Sequence, residues 1–339
     1  MKGILIFIFC NYILATSVSA QLSFNEFKMI THYHDEGSYV IHPVQAGSAN
    51  AFDFVDGEGE KYILEAMIAG IYDVAHSSYQ SSPNSNIRNL NRPRQWKFAI
   101  AGNVNFRLAL SETLTSPSLP PSNKIGFRYD LGWSDSINAF GGRIGNRRIN
   151  NFRLDLFHYS NGMAGLDSIN ERLSLRNSDF STNYIRLSFG STALKQGPND
   201  TTTFTQQAVQ AHSYSSLVAY IQYDEGIGGT LSYLPNDGNY GHLRIGGSIH
   251  YPIYISGLWW NPSAPPLFSI DLDMETVVDS IDDTRISRYG LTTKIVWHPY
   301  RLPSGVMVFY HFGRDYMNIR YTIPGNISIW GIGLSLQNL

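Results

Sequence analysis

Residues 96–108 read WKFAIAGNVNFRL, and this stretch decides the fold class. Large apolar side chains share one parity of the run; they are Trp96, Phe98, Ile100, Val104, Phe106 and Leu108. The other parity is polar or small. Because successive side chains of a β-strand point to opposite faces, this period of two predicts a long strand with one apolar and one polar face. Its length suits the roughly ten residues that a tilted strand needs to cross a bilayer.

The same alternation recurs along the chain, for example in residues 125–133 and 268–275. Beyond the first residues, no apolar run approaches the roughly 18 residues that a membrane helix needs. If the chain spans a membrane, it must do so as a closed barrel, since a closed sheet pairs all its backbone groups. We therefore predict an all-β, transmembrane antiparallel β-barrel of about twelve strands in the bacterial outer membrane. The predicted strands are 60–75, 95–110, 123–133, 151–160, 182–190, 214–223, 228–235, 241–252, 266–276, 286–298, 304–316 and 327–337.

The N-terminus has the pattern of a cleaved signal peptide. Lys2 gives a charged start, an apolar run follows, and Val18-Ser19-Ala20 forms a small-x-small cleavage site. This divides the chain into a signal peptide (1–20), an N-terminal extension (21–59) and the barrel (60–339). Cys10, the only cysteine, would leave with the peptide, so a cysteine nucleophile or a disulfide framework is excluded.

Composition favours a barrel over a soluble enzyme. Aromatic residues make up 13% of the chain, with 21 Tyr and 30 Gly, while charged residues are only 15%, which suits aromatic girdles and tight turns. The formal net charge of −2 gives no electrostatic support for a nucleic-acid partner.

One strand departs from the plain pattern, at residues 152–162, which read FRLDLFHYSNG. Even positions such as Leu154 and Leu156 are apolar, while Arg153 is charged, so the even parity faces lipid. The next two even positions are His158 and Ser160, so both are expected on the lipid face at the strand end. Polar residues that face lipid cost free energy, so their presence there indicates a function.

The next strand also carries a polar residue on its apolar parity, at the end near the loop. Its odd parity is apolar at Ile185 and Leu187, and the same parity carries Asn183 at the strand end. In an antiparallel hairpin, the end of one strand lies beside the start of the next, so Asn183 is expected beside His158. A serine, an imidazole that takes its proton, and a third group that orients the imidazole form a nucleophilic triad. The residues therefore predict attack on an acyl ester from within the membrane plane.

The stretch His158-Tyr159-Ser160-Asn161-Gly162 resembles the His-x-Ser-Asn-Gly motif of the outer membrane phospholipase A family. That resemblance implies a twelve-stranded barrel, Ser160 as nucleophile, His158 as general base, Asn183 as the residue that orients His158, and membrane phospholipids as substrate. It also implies a calcium ion near the serine and a homodimer as the active form. Asp167 and Ser168 in the following loop would supply hard oxygen ligands for the calcium ion.

Two alternatives stay open at this stage. The motif is also similar to that of outer-membrane lipid A deacylases, which use a carboxylate as third member; Glu171 would fill that role, and lipopolysaccharide would be the substrate. The second alternative is a barrel without enzymatic activity, either a narrow pore or a structural protein. In every case the charged residues Arg107, Arg128 and Arg153 are expected to pair with carboxylates in the lumen.

Overall fold

The structure is a computed structural model, and it describes residues 37–44, 61–77, 95–110, 122–136, 147–160, 180–194, 214–225, 237–253, 268–298, 304–315 and 325–336. These residues form twelve antiparallel strands in one closed barrel. The strands are β1 (Ser38–Val44), β2 (Lys61–His76), β3 (Gln95–Leu110), β4 (Ser122–Ser136), β5 (Arg147–Ser160), β6 (Ser181–Leu194), β7 (Tyr214–Glu225), β8 (Leu243–Ile253), β9 (Phe268–Val277), β10 (Tyr289–Trp297), β11 (Ser304–Gly313) and β12 (Ile327–Leu336). A short helix, α1 (Asp237–Tyr240), precedes β8. Within the described residues, no helix combines the length and the apolar character that a membrane crossing requires.

The two faces of the barrel differ as the alternation predicts. Every strand from β2 to β12 carries exposed large apolar side chains, such as Tyr72, Ile125 and Leu334. The opposite parity turns polar and charged side chains into the lumen, among them Lys97 and Arg107, which are fully buried. An apolar outer surface around a polar lumen is the arrangement of membrane-spanning barrels. The predicted fold class is therefore confirmed.

Two details of the predicted strand order are wrong. Ser38–Val44 forms β1, which pairs with β12 and closes the barrel, although it falls in the predicted extension (21–59). Its seven residues are too few for clear alternation, and its apolar Tyr39 and Ile41 point inward, where the predicted pattern places polar side chains.

The second error is the predicted strand at 228–235. β7 pairs directly with β8, through Tyr223 and Leu243, so the described barrel has no strand between them. Local alternation was the only signal for that strand, and it does not specify a pairing partner. Residues 226–236 lie outside the described part of the chain, as do the predicted signal peptide (1–20) and residues 21–36 and 45–59 of the predicted extension.

Ion pairs line the lumen, and the three arginines pair with carboxylates as predicted. Arg128 bonds Asp155 at 2.7 Å and Arg153 bonds Asp130 at 2.7 Å, each across a neighbouring pair of strands. Arg107 on β3 reaches further: its guanidinium donates to Glu65 on β2 at 2.8 Å and to Asp315, just beyond β11, at 3.1 Å.

Replacement of Arg107 should weaken the barrel. In Arg107→Leu the buried carboxylates Glu65 and Asp315 lose their shared cation, and we expect the free energy of unfolding to fall by about 3–5 kcal/mol. Denaturant unfolding in detergent micelles, followed by tryptophan fluorescence, measures the change. Arg285→Leu is the matched control, because the Arg285–Asp283 pair is exposed and should leave the unfolding midpoint unchanged. Equal midpoints for the Arg107 variant and the unaltered protein would contradict this role.

Candidate active site

The structure places His158 and Ser160 on the outer wall of the barrel, at the end of β5. The inward parity of this strand is buried, with Phe157 at 5% and Tyr159 at 1% exposure, while Leu156 on the outward parity is 44% exposed. His158 and Ser160 share the parity of Leu156 and are both half-buried. They therefore face the lipid side, where the sequence places them.

Asn183 lies directly opposite His158, because β5 and β6 pair in that register. The ring nitrogen Nδ1 of His158 and the amide oxygen Oδ1 of Asn183 are 3.1 Å apart. An amide oxygen can only accept a hydrogen bond, so this contact requires the proton of the neutral imidazole to sit on Nδ1. That tautomer leaves the lone pair of Nε2 free to take a proton. Glu171, the alternative third member, lies outside the described residues.

Ser160 completes the outward row of β5. Its Cα lies about 7 Å along the strand from that of His158, the usual spacing of alternate residues. Among the described residues, no hydrogen bond joins the Ser160 hydroxyl to the His158 ring. In enzymes without bound substrate such bonds are often long and tighten only when the substrate arrives.

Three further polar residues of the described segments join this cluster, and the sequence reasoning missed them. Asn123 on β4 and Ser181 on β6 lie opposite Ser160 on its two sides. Glu225, the last residue of β7, lies opposite Asn183. Strand parity was the available signal, since Asn123 has the parity of outward Ile125, and Glu225 that of outward Tyr223.

An apolar wall extends from this cluster toward the other end of the barrel. It consists of exposed side chains on β4, β5 and β6, namely Ile125, Phe127, Leu156, Ile185 and Leu187. The polar cluster thus marks the border between the lipid-facing wall and the loop end of the barrel. In a bilayer, the ester groups of lipids lie at the corresponding border between the acyl chains and the head groups.

Aromatic side chains support this part of the wall from the lumen. Phe157 stacks on Tyr184 across β5 and β6 with ring centroids 5.5 Å apart, and Tyr159 meets Phe180 edge-on at 4.7 Å. Phe180 in turn contacts Tyr240 of α1, whose ring is fully buried. Packed rings behind His158 and Ser160 restrict the movement of the strands that carry them.

The helix α1 is held in the barrel mouth by main-chain contacts. The guanidinium of Arg314 donates to the carbonyl oxygens of Asn239 and Tyr240. Gly241 then turns the chain into β8 with a φ of 73°, a conformation that favours glycine after a helix. Tyr240 packs against Phe180, which directly precedes β6. The helix α1 therefore helps to hold the part of the wall that carries the site, although it is distant in sequence.

The lumen itself encloses a cavity of about 300 Å³ lined by charged and polar side chains. His250 contacts Asp271 at 2.5 Å, and His298 contacts Ser269 at 3.0 Å, so both lie inside the barrel as structural partners. Among the described residues, no group of three or more His, Cys, Asp or Glu side chains is arranged to hold a metal ion. The predicted calcium ligands Asp167 and Ser168 lie outside the described residues.

No family model matches the sequence, and no curated protein matches it. The structure resembles outer membrane phospholipase A from Escherichia coli at 12% sequence identity and a TM-score of 0.47, over 90% of this chain and 98% of that chain. It also resembles the outer membrane phospholipase dimer of Salmonella typhi with bound calcium, at 10% identity and a TM-score of 0.46, over 89% of this chain and 91% of that one. Similarity at this level carries no information on residue roles.

Proposed function

We propose that this protein is an outer-membrane acyl-ester hydrolase that acts on phospholipids, with Ser160 as nucleophile, His158 as general base and Asn183 as the residue that orients His158. One observation carries the proposal: the His158–Asn183 contact of 3.1 Å lies on the lipid-facing wall, with Ser160 beside it on the same face. A hydrogen-bonded histidine and amide at a lipid surface are costly without a function.

The proposed reaction steps follow from the His158 tautomer with its proton on Nδ1. As the Ser160 oxygen forms a bond to the ester carbonyl carbon, its proton passes to Nε2 of His158, while the Nδ1 proton stays hydrogen-bonded to Asn183. The tetrahedral intermediate then expels the alcohol oxygen of the lipid, which takes the proton from Nε2. A water molecule, activated by the same nitrogen, hydrolyses the acyl-serine and releases the fatty acid.

An amide can orient the imidazole through a single hydrogen bond, and Oδ1 of Asn183 lies 3.1 Å from Nδ1 of His158. This contact favours Asn183, and thus phospholipid hydrolysis, over the lipid A deacylase alternative with Glu171 and a lipopolysaccharide substrate.

Asn123 is the candidate for stabilising the oxyanion. Its amide lies directly across from Ser160 on the outer face and can donate to the oxygen that becomes negative in the tetrahedral intermediate. Asn123→Ala should lower kcat by about a hundredfold with little change in KM, since the donor acts only in the transition state. Steady-state kinetics in mixed micelles measure kcat and KM separately. A rise in KM at unchanged kcat would instead identify Asn123 as a residue for ground-state binding.

Calcium and dimer formation belong to the same proposal. Asp167 and Ser168 would hold the ion with hard oxygen ligands, the type that Ca²⁺ prefers. When bound, the ion would help to neutralise the oxyanion. A lipase surrounded by its substrate must be restrained, and assembly of a homodimer is a physically reasonable switch.

A pore is the weaker alternative. The described part of the lumen is crossed by ion pairs such as Arg107–Asp315, and Tyr240 and Phe180 pack into the end near the site. These contacts place side chains across the described part of the lumen, which a wide channel would leave open.

The test of the proposal uses the purified full-length protein in mixed micelles. We expect it to release fatty acid from phospholipid much faster than from lipopolysaccharide, and we expect a fluorophosphonate probe to label Ser160, as mapped by mass spectrometry. Acyl release from lipopolysaccharide alone would establish the deacylase alternative. Stable conductance in planar bilayers, with neither acyl release nor labelling, would overturn the enzymatic proposal.

A further inference from the structure

Glu225 is the charged member of the polar cluster on the outer wall. It is the last residue of β7, it is exposed, and it shares the outward parity of Ile221 and Tyr223, which are 46% exposed each. β6 and β7 pair in the register that sets Glu225 directly opposite Asn183. One row across the wall therefore reads Ile125, His158, Asn183 and Glu225.

The Asn183 side chain presents its amide oxygen to one of its two neighbours in this row. Its oxygen Oδ1 points to β5, where His158 lies 3.1 Å away. The donor of the same amide is Nδ2, and the neighbour of Asn183 on its other side is Glu225 of β7. Side chains directly opposite on antiparallel strands have Cβ atoms about 5 Å apart, so a glutamate carboxylate is within reach of that nitrogen. The two strand ends are also tied together, because the Thr182 hydroxyl lies 3.5 Å from the Glu225 carbonyl oxygen.

We propose that Glu225 is a positioning residue that acts on His158 through Asn183. Its carboxylate accepts a hydrogen bond from Nδ2 of Asn183, which fixes the amide with Oδ1 toward the ring and makes that oxygen a stronger acceptor. The positive charge of the imidazolium formed during the reaction is then stabilised by the carboxylate of Glu225, which acts through the Asn183 amide. The charge itself stays at the loop end of the wall, near water. This inference rests on the proposed function.

The first experiment compares Glu225→Gln with the unaltered protein in the phospholipid assay. We expect kcat to fall about tenfold at nearly constant KM, the effect of losing one charge-assisted hydrogen bond. Asp283→Asn is the matched control, because it removes a carboxylate between β9 and β10 at the same barrel end, and it should leave kcat unchanged.

A double-mutant cycle separates action through Asn183 from a general electrostatic effect. In an Asn183→Ala background, Glu225→Gln should cause no further loss, because the amide that transmits the effect is absent. A tenfold loss that persists in this background would overturn the relay and leave Glu225 with a local structural role.

Moving the charge supplies a gain-of-function test. Asn183→Asp alone should be impaired, since it places two carboxylates side by side. The combination of Asn183→Asp with Glu225→Gln restores a single charge in contact with His158, and we expect it to be more active than Asn183→Asp alone. Lower activity of the combination would contradict the proposal.

A spectroscopic measurement is independent of activity. With ¹⁵N-labelled histidine, nuclear magnetic resonance in micelles reports the tautomer of His158, and Glu225→Gln should decrease the fraction protonated at Nδ1. If the unaltered protein hydrolyses no lipid and the tautomer still responds, the proposed function fails, while the hydrogen-bonded chain from Glu225 through Asn183 to His158 is still supported. If the protein is active but Glu225→Gln changes neither kcat nor the tautomer, this inference fails and the proposed function stands.

Discussion

Ser160→Ala is expected to reduce fatty-acid release from phospholipid by a factor of at least about 10⁴, which is the scale of losing the nucleophile of a serine triad. The alanine keeps the strand but has no oxygen to form the acyl-enzyme. The barrel should fold as before, since Ser160 lies half-buried on the outer wall at a strand end. Acyl release in mixed micelles measures the loss, and heat-modifiable electrophoretic mobility reports the folded barrel.

Ser181→Ala is the matched control for this prediction. Ser181 lies directly opposite Ser160 at the start of β6, and its replacement removes a different serine hydroxyl from the same region of the outer wall. It should retain activity within a few-fold and still react with the fluorophosphonate probe. If the two variants lose activity equally, the hydroxyl of Ser160 has no special role and another nucleophile has to be sought.

The fold and the placement of His158 and Ser160 on the outer wall could be predicted because both depend on strand parity. The run from Trp96 to Leu108 specifies two faces locally, without knowledge of its neighbours. The pairing of His158 with Asn183 needed only one hairpin, whose two strands each show an apolar parity broken at the end near the loop. A short-range pattern was sufficient in both cases.

The features that escaped prediction depend on contacts between distant segments. β1 is short and turns Tyr39 inward, where it stacks on Phe309 of β11 and donates to Glu65, and no local pattern encodes those partners. Similarly, Phe157 and Tyr159 lie on the parity that was expected to be polar. Their burial depends on α1 and Phe180, and so could not be derived from β5 alone.

Glu225 and Asn123 escaped for a related reason. Each has the correct outward parity, but its position relative to Ser160 or Asn183 depends on the register between neighbouring strands. The segments that connect β4 to β5 and β6 to β7 leave that register undetermined in the sequence. A one-residue shift in register would turn either side chain away from its partner. The register in the structure is thus what extends the polar cluster beyond the hairpin.

His158→Gln is expected to lower phospholipid hydrolysis by about 10⁴-fold as well, because glutamine cannot take a proton from the Ser160 hydroxyl. Since the two residues act as a unit, His158→Gln combined with Ser160→Ala should be no less active than Ser160→Ala alone. His42→Gln is the control, as His42 is an exposed outward histidine on β1, away from Ser160. Kinetics with a soluble ester and with phospholipid should show the same loss, because the proton transfer is common to both. A variant that loses only phospholipid activity would place His158 in substrate binding at the membrane surface and remove it from the triad.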